Sequence, residues 1–304
     1  MTDSDDQLMN GIVTALITPF ARDGGLDLRA WQGLINEQLQ AGTHGLVVAG
    51  TTGESATLSK AERDQLLRQA VDQVNGRIPV LAGTGSASTA DVIASNERAA
   101  ALGADAVLVV APYYNRPPQA GLIAHYSAIA DASPVPVMLY NVPGRTVTDL
   151  LPETTIALAD HPNVMGIKEA VADQARVQTL LDAGVHVLSG DDPSALEALR
   201  RGAAGVISVI ANLVPDDLVA MYNLVQAGQL EQARARMQTL EPLLAFLSIQ
   251  TNPIPAKWLL AEMGRIQPGL RLPLVPLDLA HHAQGHRVLE SLLATEATPR
   301  RAYH

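Results

Sequence analysis

Short apolar runs rich in β-branched residues recur about every 25 to 30 residues, and longer stretches with apolar residues at helical spacing separate them. The runs predict eight strands, each followed by a helix, near residues 11–20, 45–50, 79–85, 106–111, 136–141, 163–168, 185–189 and 205–210. These strands are apolar at nearly every position, which is typical of a parallel sheet covered on both faces. Eight such units favour an α/β fold of the closed (β/α)8 type, the TIM barrel, over an open doubly wound sheet.

Several of the predicted helices carry recognisable start signals. Ser59 with Glu62 three residues later has the pattern of a capping box, and Ser88 precedes an alanine-rich run. Pro152 and Pro193 suit the first turn of a helix, where a backbone N–H has no partner within the helix. These signals predict where four helices begin.

The pattern changes after the eighth unit. We expect residues 1–227 to form the catalytic barrel and residues 228–304 to form a C-terminal helical extension. From Leu230 onward the apolar spacing is helical, with breaks at Pro242, Pro253 and Pro268. No low-complexity linker separates the two parts, and the chain is expected to fray after about Ala294.

Composition and charge narrow the class of protein. The 304 residues are 47% hydrophobic but only 3% aromatic, which fits an aliphatic α/β protein. A net charge of -10 would repel a nucleic-acid backbone, so nucleic acid is not an expected partner. Because the chain has no cysteine, it has no disulfide, no thiolate nucleophile and no cysteine-ligated metal.

The N-terminal segment and the lengths of the apolar runs bear on location. Residues 1–10 are acidic and polar, unlike a secretory signal. No apolar run approaches the roughly 18 residues that a membrane span needs. We therefore expect a soluble, cytoplasmic protein with no membrane partner.

Lys168 is the most informative residue of the sequence. Only three of the 21 basic residues are lysines, and this one closes the apolar run of the sixth predicted strand. Active sites of TIM barrels lie at the C-terminal ends of the strands. Burial disfavours the charged ammonium, and a neutral amine can attack a ketone to form a Schiff base. The same side chain could instead extend its charge to the barrel mouth or pair with Glu169.

Other strand ends also carry polar side chains that could act in chemistry. Thr51 and Thr52 lie between two glycines, where hydroxyl and backbone donors could bind a carboxylate, although such a turn is also common without a ligand. Tyr140 could shuttle protons or could pack at the barrel rim. Arg145 offers a guanidinium fork for a second carboxylate, or it is a loop arginine in solvent.

Three further patterns bear on whether the chain has cofactor, metal or serine hydrolase chemistry. Gly83-Thr84-Gly85 lacks the rest of a phosphate loop or a dinucleotide fingerprint. His281, His282 and His286 include an i, i+4 pair, but such a cluster in a helical tail is more often a solvated helix face than a metal site. No Gly-x-Ser-x-Gly elbow occurs. We expect no metal and no organic cofactor.

Taken together, these segments resemble the dihydrodipicolinate synthase and N-acetylneuraminate lyase superfamily of Schiff-base aldolases, from about Gly11 to Leu293. Five blocks carry the resemblance in the family's order and spacing: Gly50-Thr51-Thr52-Gly53-Glu54-Ser55, Pro112-Tyr113-Tyr114-Asn115-Arg116-Pro117, Tyr140-Asn141-Val142-Pro143-Gly144-Arg145-Thr146, Gly166-Ile167-Lys168-Glu169 and Asn252-Pro253-Ile254-Pro255. Arg145 and Thr146 are similar to the synthase branch. That branch condenses pyruvate with aspartate semialdehyde in lysine and diaminopimelate biosynthesis.

The resemblance implies roles for four catalytic residues. Lys168 would condense with the keto group of pyruvate, and loss of a methyl proton would give an enamine that attacks the aldehyde. Tyr140 would relay protons together with Thr51 and with Tyr114 from a neighbouring subunit. Since the imine is itself the electron sink, no cofactor is implied.

The same resemblance implies the substrate-binding residues and the assembly. Thr51 and Thr52 would hold the pyruvate carboxylate, and Arg145 would bind the carboxylate of the semialdehyde. Gly190 and Ile207 would present backbone groups to the pocket. A homotetramer built from tight dimers is expected.

Two alternatives and one regulatory property remain as hypotheses. A sugar-acid or related keto-acid lyase would use the same lysine with another aldehyde, and a catalytically silent barrel would bind a keto acid without turning it over. Lysine-sensitive relatives typically carry His, Asn and Glu where this chain has Arg63, Ala87 and Asp91. Feedback inhibition by lysine is therefore expected to be weak or absent.

Overall fold

The computed structural model describes residues 9–297, and eight strands within them close into a parallel barrel in chain order. They are β1 (Gly11–Ala15), β2 (Gly45–Val48), β3 (Val80–Gly83), β4 (Ala106–Val110), β5 (Val137–Asn141), β6 (Val164–Glu169), β7 (Val187–Ser189) and β8 (Gly205–Ser208). Every neighbouring pair is parallel, including β1 with β8. The predicted (β/α)8 fold is confirmed.

Helices surround the barrel and continue beyond it. Those in the described residues are α1 (Leu28–Ala41), α2 (Lys60–Val74), α3 (Thr89–Ala101), α4 (Gln119–Ala132), α5 (Pro143–Thr146), α6 (Pro152–Ala159), α7 (Gln174–Asp182), α8 (Ala195–Arg201), α9 (Pro215–Gln226), α10 (Leu230–Thr239), α11 (Glu241–Leu247), α12 (Ile254–Glu262) and α13 (His282–Ala297). Short 3-10 segments lie at Ser55–Thr57, Ile210–Asn212 and Leu279–His281. No helix of residues 9–297 has the combined length and apolar character of a membrane span.

Three of the four predicted helix starts are confirmed. Ser59 and Glu62 form the reciprocal capping box of α2, Ser88 caps α3, and Pro152 opens α6. The prediction for Pro193 is wrong, because it lies in a turn and α8 begins only at Ala195.

The first strand is shorter than predicted. It ends at Ala15, and the chain continues as a buried loop in which Phe20 makes an isolated antiparallel bridge to Leu26. Leu16, Ile17 and Phe20 are fully buried in this loop. Since burial gives a loop the same apolar character as a buried strand, the pattern could not locate the strand end.

Alternate strand residues point into the barrel or toward the helices. Met138 and Tyr140 of β5 lie in the interior cluster with Leu188 of β7, whereas Val137 and Leu139 pack in the cluster between strands and helices. This alternation decides which side chain at each strand end faces the barrel centre. It therefore decides which residues can contribute to a site there.

The C-terminal helices share an apolar core with one side of the barrel. Ile12 of β1 and Val206 of β8 belong to the same buried cluster as Phe246 of α11 and Leu259 of α12. The boundary at residue 227 falls just after α9, and the division into a barrel and an extension remains our proposal. Helix α13 continues to Ala297, beyond the predicted onset of fraying at about Ala294, and the rest of that prediction falls on residues 298–304, outside the described part of the chain.

Two of the three tail histidines pack on a tryptophan. The rings of His282 and His286 lie 5.0 and 5.2 Å from that of Trp258, measured between centroids. Within residues 9–297 no group of His, Cys, Asp or Glu is arranged to hold a metal ion.

Candidate active site

Lys168 lies at the end of β6 with its side chain inside the barrel. A register shift between β5 and β6 precedes it: Val137 pairs with Val164 and Met138 with Gly166, so Met165 is an extra residue. Gly166 has a φ of 143°, in the region that favours glycine. Any Cβ at Gly166 would also meet the backbone oxygen of His186 at 2.3 Å. Beyond this irregularity Lys168 pairs in register with Tyr140 of β5, and its Nζ lies 4.3 Å from the centre of the tyrosine ring. The amine is buried, with the residue only 5% exposed.

Glu169 faces away from Lys168, toward α7. Its carboxylate accepts hydrogen bonds from Arg176 Nε at 2.9 Å and from Asn141 Nδ2 at 3.0 Å. Burial raises the pKa of the Glu169 carboxyl, and the Arg176 charge opposes that rise. Among the described residues Lys168 forms no ion pair, so pairing with Glu169 is not the arrangement found.

A second carboxyl group, Asp192, lies near Lys168. Its Oδ2 accepts hydrogen bonds from the backbone of Val209 at 2.8 Å and of Ile210 at 3.1 Å. Burial raises the pKa of this carboxyl, against hydrogen bonds from Ser208 and the two backbone groups and against the charge of Lys168. Asp192 follows β7 closely and is not among the site residues that the sequence predicts.

Gly190 follows β7, the strand that pairs with β6, and lies against the lysine, whereas Ile207 lies in the barrel interior on β8. A Cβ at Gly190 would lie 2.8 Å from Cε of Lys168, so only glycine leaves room for the lysine side chain. Ile207 of β8 is buried in the interior cluster that contains Tyr140. Both predicted positions are therefore close to the barrel centre.

A cavity of about 350 Å³ opens at the C-terminal ends of β2 to β5. Thr51, Tyr140 and Arg145 line it, together with residues of the C-terminal part such as Asn252 and Leu274. The Arg145 guanidinium donates from Nη2 to the Asn252 carbonyl at 3.2 Å. The Thr51 hydroxyl, the Tyr140 phenol and the Arg145 guanidinium therefore border the same cavity.

Thr52 is buried beside this cavity, 3% exposed, and does not line it. Its Oγ1 accepts a hydrogen bond from Asn252 Nδ2 at 2.9 Å. The two predicted carboxylate-binding threonines therefore differ, since Thr51 lines the cavity and Thr52 is buried with its hydroxyl oxygen bonded to Asn252.

Tyr114 lies apart from the other predicted residues. It is 94% exposed with a φ of 72°, and it does not line the cavity, whereas its neighbour Tyr113 does. An exposed aromatic ring in strained backbone is the kind of feature that an interface would cover. Within one chain, the site holds no contribution from Tyr114.

Arg63, part of the lysine-feedback prediction, lies between two cavities. It lines the one above and a second of about 390 Å³, which Asp91 and Tyr113 also line. Its Nη2 donates to the Ser55 carbonyl at 2.8 Å. A fixed cation thus occupies this region, and weak feedback by lysine stays a prediction.

The sequence did not predict a buried ion pair between Lys257 and Glu54, the last residue of the Gly50–Glu54 segment. Lys257 Nζ of α12 lies 2.5 Å from Glu54 Oε1, and the two residues are 203 positions apart. Burial lowers the pKa of the Lys257 amine to about 8, although Glu54 acts to raise it. The scarcity of lysine was a usable signal, but spacing alone could not reveal the partner.

Comparison with known proteins agrees with this arrangement. A profile of the dihydrodipicolinate synthetase family matches residues 8–292. A 4-hydroxy-tetrahydrodipicolinate synthase of Stenotrophomonas maltophilia is 51% identical over 95% of this chain and 98% of its own length. The corresponding synthase of Xanthomonas axonopodis pv. citri is 53% identical over 95% of this chain and 96% of its own.

Solved structures give the same result. A chloride-inhibited dihydrodipicolinate synthase from Acinetobacter baumannii, crystallised with pyruvate, superposes with a TM-score of 0.91 at 41% identity. The superposition covers 93% of this chain and 99% of that one. On both sequence and structure, the chain belongs to the dihydrodipicolinate synthetase family.

Proposed function

We propose that this chain is a lyase that condenses pyruvate with L-aspartate 4-semialdehyde to give 4-hydroxy-tetrahydrodipicolinate, a step of lysine and diaminopimelate biosynthesis. The observation that carries the proposal is the inward-facing Lys168 amine beside Tyr140. The family's synthases at about half identity support the choice of reaction.

The reaction begins with imine formation at Lys168. The neutral amine attacks C2 of pyruvate, and the carbinolamine loses water to give an iminium. The iminium then accepts the electron pair left when a C3 proton departs, which produces an enamine. Thr51 and Thr52 hold the pyruvate carboxylate during these steps.

The enamine carbon next attacks the aldehyde carbon of the semialdehyde, and the aldehyde oxygen takes up a proton to become the hydroxyl group. Arg145 binds the semialdehyde carboxylate through its fork. The amino group of the semialdehyde then attacks the imine carbon and displaces the Lys168 amine. Cyclisation therefore restores the enzyme, and the water released in the first step is the only other product apart from protons.

Proton transfer and assembly complete the proposal. Tyr140 and Thr51 relay protons with the partner subunit's Tyr114, and Gly190 and Ile207 bound the pocket by their backbone groups. The exposure of Tyr114 in one chain supports a site completed across a dimer. We infer a homotetramer of tight dimers in the cytoplasm, with pyruvate and an aldehyde as the small-molecule partners.

Borohydride trapping tests the chemistry directly. Reduction in the presence of pyruvate converts the imine into a stable secondary amine, and peptide mass mapping should find the adduct at Lys168, with Lys60 and Lys257 unmodified. Lys168→Ala should abolish both trapping and condensation.

A parallel assay should follow the consumption of pyruvate and semialdehyde by the same preparation. Cleavage of sugar acids without condensation would favour the lyase alternative. An adduct at another lysine, or the absence of any adduct, would contradict the proposed mechanism.

A further inference from the structure

The buried pair of Lys257 and Glu54 has no part in the chemistry above. Both side chains are almost fully enclosed, at 3% and 1% exposure. The Lys257 amine also donates to the Thr18 carbonyl at 2.9 Å and lies 4.2 Å from the centre of the Phe20 ring. Because two buried charges lose their hydration, such a pair is a weak source of stability and its presence calls for another reason.

Glu54 ends the segment that carries the two threonines. It has a φ of 53° and a ψ of 38°, in the left-handed region that a residue with a side chain occupies only when its surroundings fix it. Its second carboxylate oxygen accepts from the Arg271 backbone N–H at 3.2 Å. The preceding carbonyl, of Gly53, accepts from the Thr18 hydroxyl at 2.7 Å. The end of the segment is therefore held by three distant parts of the chain.

The C-terminal part also contacts the segment at Thr52. Asn252 Nδ2 donates to Thr52 Oγ1 at 2.9 Å. A hydroxyl has one proton to donate and two acceptor positions, so an amide on the oxygen leaves the proton free for an anion. Asn252 and Lys257 thus act on the two ends of Thr52-Gly53-Glu54, one on the hydroxyl and one on the carboxylate.

We propose that Lys257 is a positioning residue for pyruvate, whose ion pair with Glu54 fixes the Gly50–Glu54 segment so that Thr51 and Thr52 meet the pyruvate carboxylate. The inference rests on the proposed function of these threonines. It adds a role for α12, which otherwise lies outside the reaction. Loss of the pair should weaken pyruvate binding more than it affects the second substrate or the later steps.

The test compares Lys257→Met with Lys60→Met, a matched change at an exposed lysine of α2. In Lys257→Met the pyruvate concentration that gives half-maximal borohydride trapping at Lys168 should rise about tenfold or more, the loss expected when charge-assisted contacts are removed. The KM for pyruvate should rise in parallel, while the KM for semialdehyde stays within about threefold. Lys60→Met should match the wild type in all three values.

Two further variants separate positioning from folding. Glu54→Gln keeps the shape of the side chain and removes only its charge, so it carries the same test if Lys257→Met does not fold. When Lys257→Met and Glu54→Gln are combined, the half-maximal pyruvate concentration should be no higher than in whichever single variant binds pyruvate more weakly. The reason is that the two changes remove one shared interaction. A merely structural role would lower the unfolding temperature and the active fraction without moving the half-maximal pyruvate concentration.

The possible results show separately whether the proposed function fails or only the positioning role of Lys257. Absence of pyruvate trapping in the wild type would overturn the proposed function and this inference with it. Normal trapping in the wild type, with an unchanged half-maximal concentration in folded Lys257→Met and Glu54→Gln, would overturn the inference alone.

Discussion

Lys168 and Glu169 are adjacent in β6 but face opposite environments. Lys168 points to the barrel centre beside Tyr140, and Glu169 points outward to Arg176. The register shift between Val164 and Gly166 sets this choice, because a shift of one residue reverses every side chain that follows. A single glycine therefore helps to place the amine on the side where the proposed chemistry occurs.

Arg145 should serve the second substrate and not pyruvate. In Arg145→Ala the KM for semialdehyde should rise about tenfold or more, because a charged hydrogen-bonding partner of its carboxylate is lost. Half-maximal pyruvate trapping should stay within about twofold, since the threonines are intact. Steady-state kinetics and trapping measure the two effects, with Arg68→Ala on the exposed side of α2 as the control. An equal loss of pyruvate binding would show the assignment to be wrong.

The sequence predicted individual site residues best where a residue type that is rare in this chain lies at the end of a predicted strand. Lys168 met both conditions, and the structure places it next to Tyr140 as the barrel geometry requires. Glu54 offered no such signal, because its partner Lys257 belongs to a helix 203 positions away. The role proposed for Tyr114 has no support within one chain, since the residue is 94% exposed and does not line the cavity.

Strands were easier to predict than their ends. All eight were located from apolar runs, because a covered parallel strand is apolar on both faces. The end of β1 was misplaced where Leu16 and Ile17 remain buried after the strand has stopped. Pro193 was misassigned because proline suits both a helix start and the turn before it. Local pattern therefore predicted the elements, and tertiary packing determined their limits.

We expect Arg176 to stabilise the packing of α7 against β5 and β6. Its guanidinium joins buried Glu169 to Asp149, at 2.9 Å in each case. Arg176→Met should destabilise the protein by about 3–5 kcal/mol, because it leaves a carboxylate buried without its partner. Urea unfolding at a fixed protein concentration measures the change.

The matched control for this change is Arg200→Met in α8. Arg200 pairs with Glu197 at 2.7 Å, but Arg200 is exposed and Glu197 only half-buried, so little change in the free energy of unfolding is expected. Adding Glu169→Gln to Arg176→Met should recover part of the lost stability, since the unpaired charge is then removed. Equal effects of the two arginine variants would mean that the buried network contributes no more than a surface pair.

Three large apolar side chains in the loops that follow β4 and β5 are exposed, which favours an active site that a second subunit completes. Tyr114 and Val147 are 94% and 66% exposed, and Tyr113 is 44% exposed while lining the cavity. Aromatic residues at the edge of a pocket are typical of surfaces that a second subunit covers. In a two-fold dimer such a contact is reciprocal, so each chain would complete the site of the other.

Mixed dimers test whether Tyr114 acts in the partner's site. Lys168→Ala and Tyr114→Phe chains should each be poorly active alone, but a mixed dimer contains one site with an intact Lys168 and the partner subunit's intact Tyr114. Random reassortment of equal amounts makes half of the dimers mixed, each with one good site in two, so up to about a quarter of wild-type activity should return. The two variants are unfolded and refolded together, with each refolded separately as the control. If verified mixed dimers gain no activity, then Tyr114 serves its own subunit or has no part in the reaction.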